Sequence, residues 1–321
     1  MHKSKGNGVD PSKIANVYGA DILRLWVASV DYQQDVRIGD NIIKQIADQY
    51  RKVRNTLKFI SWNLADFDPQ KSATSFEKVD LFILNKLDEL TNFVIESFDR
   101  YDFSSAMSAI MTYMSSDLSS FYLDINKDIL YCEAKESTRR LQVQTALYRI
   151  GETLLRLLNP VLPFTMDEFN NNLPGRREKN VQFLDYPKHK DIGDKGAKLD
   201  AEYELIMSLR ADVLKKLEEA RNNKIIGSSQ EAKVEFSLLG DNKEVQALID
   251  EIGLNNLAKI FVVSEVVENA NNNGTELAVS KVDVLRHTGH FCERCWNYED
   301  DAILQEDGTY LCKRCQKVVG K

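Results

Sequence analysis

Apolar residues recur at a helical period through most of the first half of the chain, and a bundle of long helices is the arrangement that buries them. Between residues 40 and 64, Ile43, Ile46, Tyr50, Val53, Leu57 and Ile60 follow one another at steps of three and four. That spacing keeps one face of a helix apolar for about six turns. Residues 78–100 repeat the pattern through Leu81, Leu84, Leu87, Leu90, Val94 and Phe98, and residues 103–131 through Met107, Ile110, Met111, Met114, Leu118, Phe121 and Tyr122. Ser137 is placed to cap a fourth helix, with Leu147, Ile150, Leu154 and Leu157 on one face and Pro160 at its end. Thr165 and Glu168 read as a capping box for a last short helix. Long helices with short connections predict an antiparallel bundle.

Upstream, Asp10-Pro11 suits a helix start, and Ile22, Leu23, Leu25, Trp26 and Val27 make a short apolar helix after Gly19. Leu23, Leu25 and Trp26 are expected to form an exposed apolar face. Pro174, Gly175, Pro187 and Gly193 mark residues 173–194 as a linker or loop-rich strap. A second unit follows. Residues 200–224 are helical in pattern, after which the period changes to two in Ala232, Val234, Phe236 and Leu238, which predicts a half-buried strand. Residues 243–252 read as helix, and 258–264 and 277–284 as strands, giving a small α/β module.

The last thirty residues hold four of the five cysteines, as Cys292-x-x-Cys295 and Cys312-x-x-Cys315 with sixteen residues between the inner pair. Two CxxC turns at this spacing fit one structural Zn²⁺ held by four thiolates, a closed set with no position left for water. Too few residues surround them for a core, so the metal would supply the folding energy. Disulfides or free thiols are the competing readings. Sparse cysteine elsewhere argues for a reducing compartment. His287 and His290 read as surface residues. Cys132 reads as a small buried hydrophobe without a role.

Charge is uneven. The whole chain has 42 Lys+Arg against 49 Asp+Glu, a net −7, which excludes a protein that coats nucleic acid indiscriminately. Yet Arg37 to Lys58 holds six basic and two acidic residues. Lys44, Arg51 and Lys58 are seven apart and share one track of a helix, with Lys52 and Arg54 beside them. The row fits a ridge that grips phosphates, or a plain solvated face. Arg139 and Arg140 belong to a weaker cluster. Arg294, Lys313 and Arg314 lie among the cysteines beside Trp296, a mix that single-stranded RNA recognition uses; Trp296 is equally suited to packing on the metal site. No apolar run is long enough to span a membrane, and the N-terminal residues lack the apolar core of a secretory signal.

Several segments resemble one family. KSKGN, from Lys3, and the run GVDPSKIANVYGADILRLWVASVDYQQDVRIGDN look like the stretch after the KMSKS signature of class I aminoacyl-tRNA synthetases, with Lys3 and Ser4 matching its last two letters. YRKVRNTLKFI, RRLQVQTALY and NPVLPFTMDEF resemble the anticodon-binding helices of that family; Asn170 follows where the family usually has Trp. LRADVLKKLEEAR and KIIGSSQEAKV resemble the module that comes next, and the CxxCW…CxxC ending is similar to the zinc domain of the bacterial isoleucyl branch.

The resemblance implies a mainly α chain: a KMSKS-loop remnant and stem-contact segment over 1–38, a helical anticodon-binding domain over 39–190, a small α/β junction module over 195–284, and a zinc knuckle with four cysteine ligands over 285–321. It implies an isoleucine tRNA as partner, no DNA and no membrane, a monomer, and a cytoplasmic location. ATP and Mg²⁺ belong to the full-length ligase, in which Lys3 would contact ATP phosphates. No HIGH-like motif contains His2, His189, His287 or His290, and no glycine-rich phosphate loop is present. The chain is therefore expected to begin inside the KMSKS loop, to lack the adenylation and editing domains, and to be inactive alone. RNA contacts are expected at Lys44, Arg51, Lys52, Arg54, Lys58, Arg139, Arg140, Arg294, Trp296, Lys313 and Arg314. Two other readings remain: a non-catalytic helical scaffold whose knuckle docks a protein, and a valyl or leucyl relative.

Overall fold

The computed structural model describes residues 9–175, 178, 180–240 and 242–320. Helices run as α1 (Pro11–Tyr18), α2 (Ala20–Ser29), α3 (Asp40–Asn63), α4 (Lys78–Asp99) and α5 (Phe103–Thr112). A π-helical stretch, Tyr113–Leu123, leads into α6 (Asp124–Cys132), followed by α7 (Thr138–Leu158), α8 (Pro163–Asn172) and α9 (Gly193–Asn222). Then come β1 (Ala232–Leu238), α10 (Lys243–Ile252), α11 (Leu254–Phe261), β2 (Glu265–Glu268), β3 (Thr275–Glu276) and β4 (Ser280–Arg286). The tail holds β5 (His290–Phe291), β6 (Tyr298–Glu299), β7 (Ile303–Leu304), β8 (Tyr310–Leu311) and α12 (Lys313–Val319). The chain packs as two units. One comprises residues up to Ser120 with Leu141–Ile192, the other Phe121–Arg140 with the chain from Gly193 onward.

In the first unit α3 buries the face its spacing predicts: Ile43, Ile46, Val53, Leu57 and Ile60 are buried, and the half-buried Tyr50 hydroxyl meets Thr165 Oγ1 at 2.9 Å. On α4 the predicted Leu87, Leu90 and Val94 are buried, and the face departs from the predicted one at its start. Phe82 and Ile83 are fully buried while Leu81 and Leu84 are half-exposed, because a broad apolar surface satisfies more than one stripe. α7 is buried nearly all round, with Val143, Ala146, Leu147, Ile150, Leu154, Leu155, Leu157 and Leu158 inaccessible. Polar ties hold its start: Gln144 Nε2 donates to the Asn63 carbonyl (2.9 Å) and to Asp66 Oδ1 (2.8 Å).

Thr165 does not cap α8, which begins at Pro163 after a Leu162 that makes no side-chain cap. It is bound instead by Asp21, whose Oδ2 accepts from the Thr165 amide (2.7 Å) and hydroxyl (2.6 Å). Leu25 is fully buried and Leu23 and Trp26 are half-buried, so the exposed apolar face expected on α2 is reduced to Val27. Arg24 closes the join by donating to the carbonyls of Pro160 (2.6 Å) and Val161 (3.0 Å). The segment after α8 is a strap, with Val181 fully buried and Asn92 and Lys190 exchanging two hydrogen bonds.

The second unit is built on a four-stranded sheet, ordered β2-β1-β4-β3. β1 and β2 are parallel, joined through α10 and α11, and β4 is antiparallel to β1 and β3. Ala232, Val234 and Phe236 of β1 alternate inward with Val282 and Val284 of β4, as period two requires. Residues 258–264, expected as strand, belong instead to α11 and the turn after it; strand begins at Glu265. The apolar run of α11 is too short for its period to be decided locally. Buried Asp212 of α9 organises the approach to β4, accepting from the amides of Ala278 (3.2 Å), Val279 (2.9 Å) and Ser280 (3.0 Å) and from the Ser280 hydroxyl (2.9 Å). No described helix is long and apolar enough to cross a membrane.

Candidate metal centre and nucleic-acid interface

The β5–β6 hairpin carries the first cysteine pair in its turn. The Cys292 amide donates to Asn297 O and the Trp296 amide to Cys292 O, both at 2.8 Å. Trp296 takes the left-handed conformation (φ 65°), uncommon for so bulky a residue, and its side chain is 65% exposed. The β7–β8 hairpin delivers Cys312 to the start of α12 and Cys315 into its first turn. All four sulfurs are buried and lie within 4.8 Å of one another, as a single cluster. Cys295 Sγ and Cys312 Sγ are 3.9 Å apart. Tetrahedral Zn²⁺ with Zn–S of about 2.3 Å needs sulfurs about 3.8 Å apart, so the four residues fit the metal.

Hydrogen bonds from Cys295 and Cys315 hold the Cys312 thiol far below the ordinary thiol range, while the Cys312 and Cys315 hydrogen bonds push Cys295 up. The mutual hydrogen bonds thus favour thiolate at Cys312 and thiol at Cys295, and binding zinc, which takes all four as thiolates, would release protons. The Cys312 amide donates to Cys292 Sγ at 3.3 Å. With four thiolates bound, zinc holds the two hairpins together and has no open position for chemistry.

Among the other residues expected here, His287 is buried and not on the surface: its Nδ1 accepts from the Gly289 amide (2.9 Å) and its Nε2 lies 3.5 Å from Glu265. His290 is exposed and stacks on Tyr310 at 4.4 Å. Neither joins the sulfur cluster. Burial, then the nearby Asp128, pushes the Cys132 thiol up to about 12, so it is an inert group.

The arginines among the cysteines are committed. Arg314 makes a two-pronged pair with Asp128 (2.6 Å on each prong) and reaches Glu133 at 3.2 Å. Burial works against its charge, but Asp128 outweighs burial and holds the guanidinium above the ordinary arginine range. Arg294 donates to the Cys132 carbonyl at 2.5 Å. Arg139 Nη2 bonds Asn126 (3.2 Å) and Arg140 Nε bonds the Leu130 carbonyl (3.3 Å), both fastening the α6–α7 corner. Lys313 is exposed, 4.0 Å from Asp301. The carboxylates Asp128 and Glu133 escaped sequence reasoning; the signal for them was that each CxxC pair carries an arginine just before its second cysteine.

On α3 the expected row is present at the surface of the first unit. Lys44, Arg51 and Lys52 are exposed and Lys58 is half-exposed. Arg51 pairs with Asp48 at 2.9 Å, both well solvated, a contact worth little. Arg54 is tied to both oxygens of Glu168 (2.6 and 2.8 Å). Among the described residues no carboxylate pairs with Lys44, Lys52 or Lys58. Lys3 lies outside the described residues.

Comparison with known proteins finds the family models "Anticodon-binding domain of tRNA ligase" over residues 80–236, "Zinc finger found in FPG and IleRS" over 289–318, and "tRNA synthetases class I (I, L, M and V)" over 1–39. An isoleucine–tRNA ligase of Bacillus cytotoxicus is 42% identical over 99% of this chain, and one of Staphylococcus carnosus 41% identical over 99%. The chain spans 35% of the length of each of these curated relatives. Among solved structures, the ternary complex Agrobacterium radiobacter K84 agnB2 LeuRS–tRNA–LeuAMS matches 62% of this chain and 23% of its own at 20% identity and a TM-score of 0.46. With the sulfur cluster where a zinc finger of this kind requires it and the likeness running through 99% of its length, the chain belongs to the isoleucyl branch of the class I aminoacyl-tRNA synthetases.

Proposed function

We propose that this chain is the tRNA-recognition part of an ATP-dependent isoleucine–tRNA ligase and grips the anticodon stem-loop of an isoleucine tRNA. The observation that carries the reading is the match of the anticodon-binding family model across residues 80–236, within a chain 42% identical to isoleucine–tRNA ligases. Zinc shapes the knuckle; ATP and Mg²⁺ serve the ligase's adenylation step, to which Lys3 would contribute and which this chain does not perform alone. The protein works as a monomer in the cytoplasm. Its functional segments divide at 38, 190 and 285, with Phe121–Arg140 packing in one unit with the chain from Gly193 onward.

Two surfaces support RNA contact. The α3 row offers Lys44, Lys52 and Lys58 without a described carboxylate partner, and Arg51 with a solvated one. Such cations fix a duplex by its phosphates and set register without reading sequence. The knuckle also offers an exposed Trp296 indole and an exposed Lys313, groups suited to an unpaired base and to a phosphate. Arg54, Arg139, Arg140, Arg294 and Arg314 serve that interface by holding its supporting structure.

The test is the triple substitution Lys44→Ala, Arg51→Ala and Lys58→Ala, assayed for tRNA binding across a salt series. Losing three phosphate contacts should weaken binding and flatten the slope of log affinity against log salt by about 2 to 3. Binding and slope equal to the parent chain would remove the α3 row from the interface.

A further inference from the structure

The two CxxC turns carry an arginine at the same place: Cys292-Glu-Arg294-Cys295 and Cys312-Lys-Arg314-Cys315. Both side chains run to the C-terminal end of α6, in the same packing unit as the knuckle. That end has much to neutralise. Its last carbonyls lack helical partners and carry the negative pole of the helix, its last turn has no basic residue, and Asp128 and Glu133 add two carboxylates. Arg314 meets both carboxylates. Arg294 takes the Cys132 carbonyl, while the Cys132 thiol donates back to the Arg294 carbonyl at 3.3 Å.

One of these arginines also faces the sulfurs: Arg294 Nη1 lies 3.6 Å from Cys315 Sγ. Four thiolates around Zn²⁺ would leave a net charge of −2, and Arg294 brings a cation to their edge. The apolar cluster at this point consists of the four ligand cysteines, Leu311 and Cys132, so α6 contributes one of its members.

We propose that the zinc knuckle is a metal-dependent clasp on the C-terminal end of α6, in which Arg314 is the positioning residue that couples zinc binding to the order of that helix. The positions of Arg294 and Arg314 are defined only when the four sulfurs close on the metal, because each sits one residue before a ligand. Zinc loss therefore releases both guanidiniums from Asp128, Glu133 and the Cys132 carbonyl, while Arg140 keeps the Leu130 carbonyl. The coupling is reciprocal: α6 raises the affinity for zinc by as much as zinc raises the stability of α6. The clasp rests on the zinc site and not on tRNA recognition, so it stands or falls independently of the proposed function.

The experiment is hydrogen–deuterium exchange on the full chain with and without a zinc chelator, together with zinc affinity by competition with a chromogenic chelator. Zinc removal should raise exchange across Asp124–Glu133 and leave α4 unchanged. Arg314→Ala should weaken zinc binding by about ten- to a hundredfold, as loss of a group supporting metal ligands does. Should that variant fail to fold, Arg314→Lys keeps the charge, loses the fork, and should weaken zinc binding less. Pairing Arg314→Asp with Asp128→Arg should restore part of the affinity lost in Arg314→Asp alone. Unchanged exchange in α6 after zinc removal, or zinc affinity in the folded Arg314 variants equal to the parent, would overturn the clasp.

Discussion

At the scale of single residues, buried charge decides more than surface charge. Asp212 accepts four hydrogen bonds from the Ala278–Ser280 segment. Asp212→Ala should destabilise the second unit by about 3 kcal/mol, because buried amides lose a charged acceptor and gain no water. Asp212→Asn, which keeps one acceptor oxygen, should cost less. Urea unfolding followed by a probe in β4 measures both, and an alanine variant as stable as the parent would refute the role. This is also the scale at which sequence was least informative. The four ligand cysteines were legible because zinc fixes their spacing. The partners of Arg314 were not, since Asp128 lies 186 residues away and spacing is silent on contacts made by folding. Asp21 was likewise invisible as the partner of Thr165, a residue 144 positions on, although Thr165 itself looked like a cap.

At the scale of elements, regular period carried far. The long helices follow from stripes that persist for many turns, and α3 buries the face its spacing names. Where the pattern was short or broad it failed in an intelligible way. The wide apolar surface at the start of α4 allowed two faces, and packing selected the one through Phe82 and Ile83. Periodicity alone reads the π-helical stretch Tyr113–Leu123 as ordinary helix. Its serines mark it: the Ser120 hydroxyl donates to the carbonyl of Ser115, five residues back, at 2.8 Å. Strand β3 depends on a close approach, since a Cβ at Gly274 would overlap the Val282 carbonyl of β4. Gly274→Ala should therefore cost about 2 kcal/mol and loosen the β3 edge, seen as faster amide exchange at Thr275 and Glu276. Exchange as slow as in the parent would show that the edge tolerates the methyl group.

At the scale of the whole molecule, charge and metal divide the labour. A chain with net −7 that binds RNA must do so through a local surface, and α3 concentrates one in the first unit. The second unit places Asp128 and Glu133 against the knuckle's arginines, so part of the chain's basic composition is used inside. Composition cannot make that distinction, because it counts a buried guanidinium and a solvated one alike. The family likeness was legible from motif order and the zinc ending together, each shared motif being too widespread alone.

Anticodon recognition is decided by binding of the zinc-loaded chain to an isoleucine tRNA transcript and to an anticodon-swapped transcript, across a salt series. Binding to the native anticodon should be tighter at every salt concentration, with both affinities falling as salt rises. Equal affinity for the two transcripts, or no affinity for either, would contradict it.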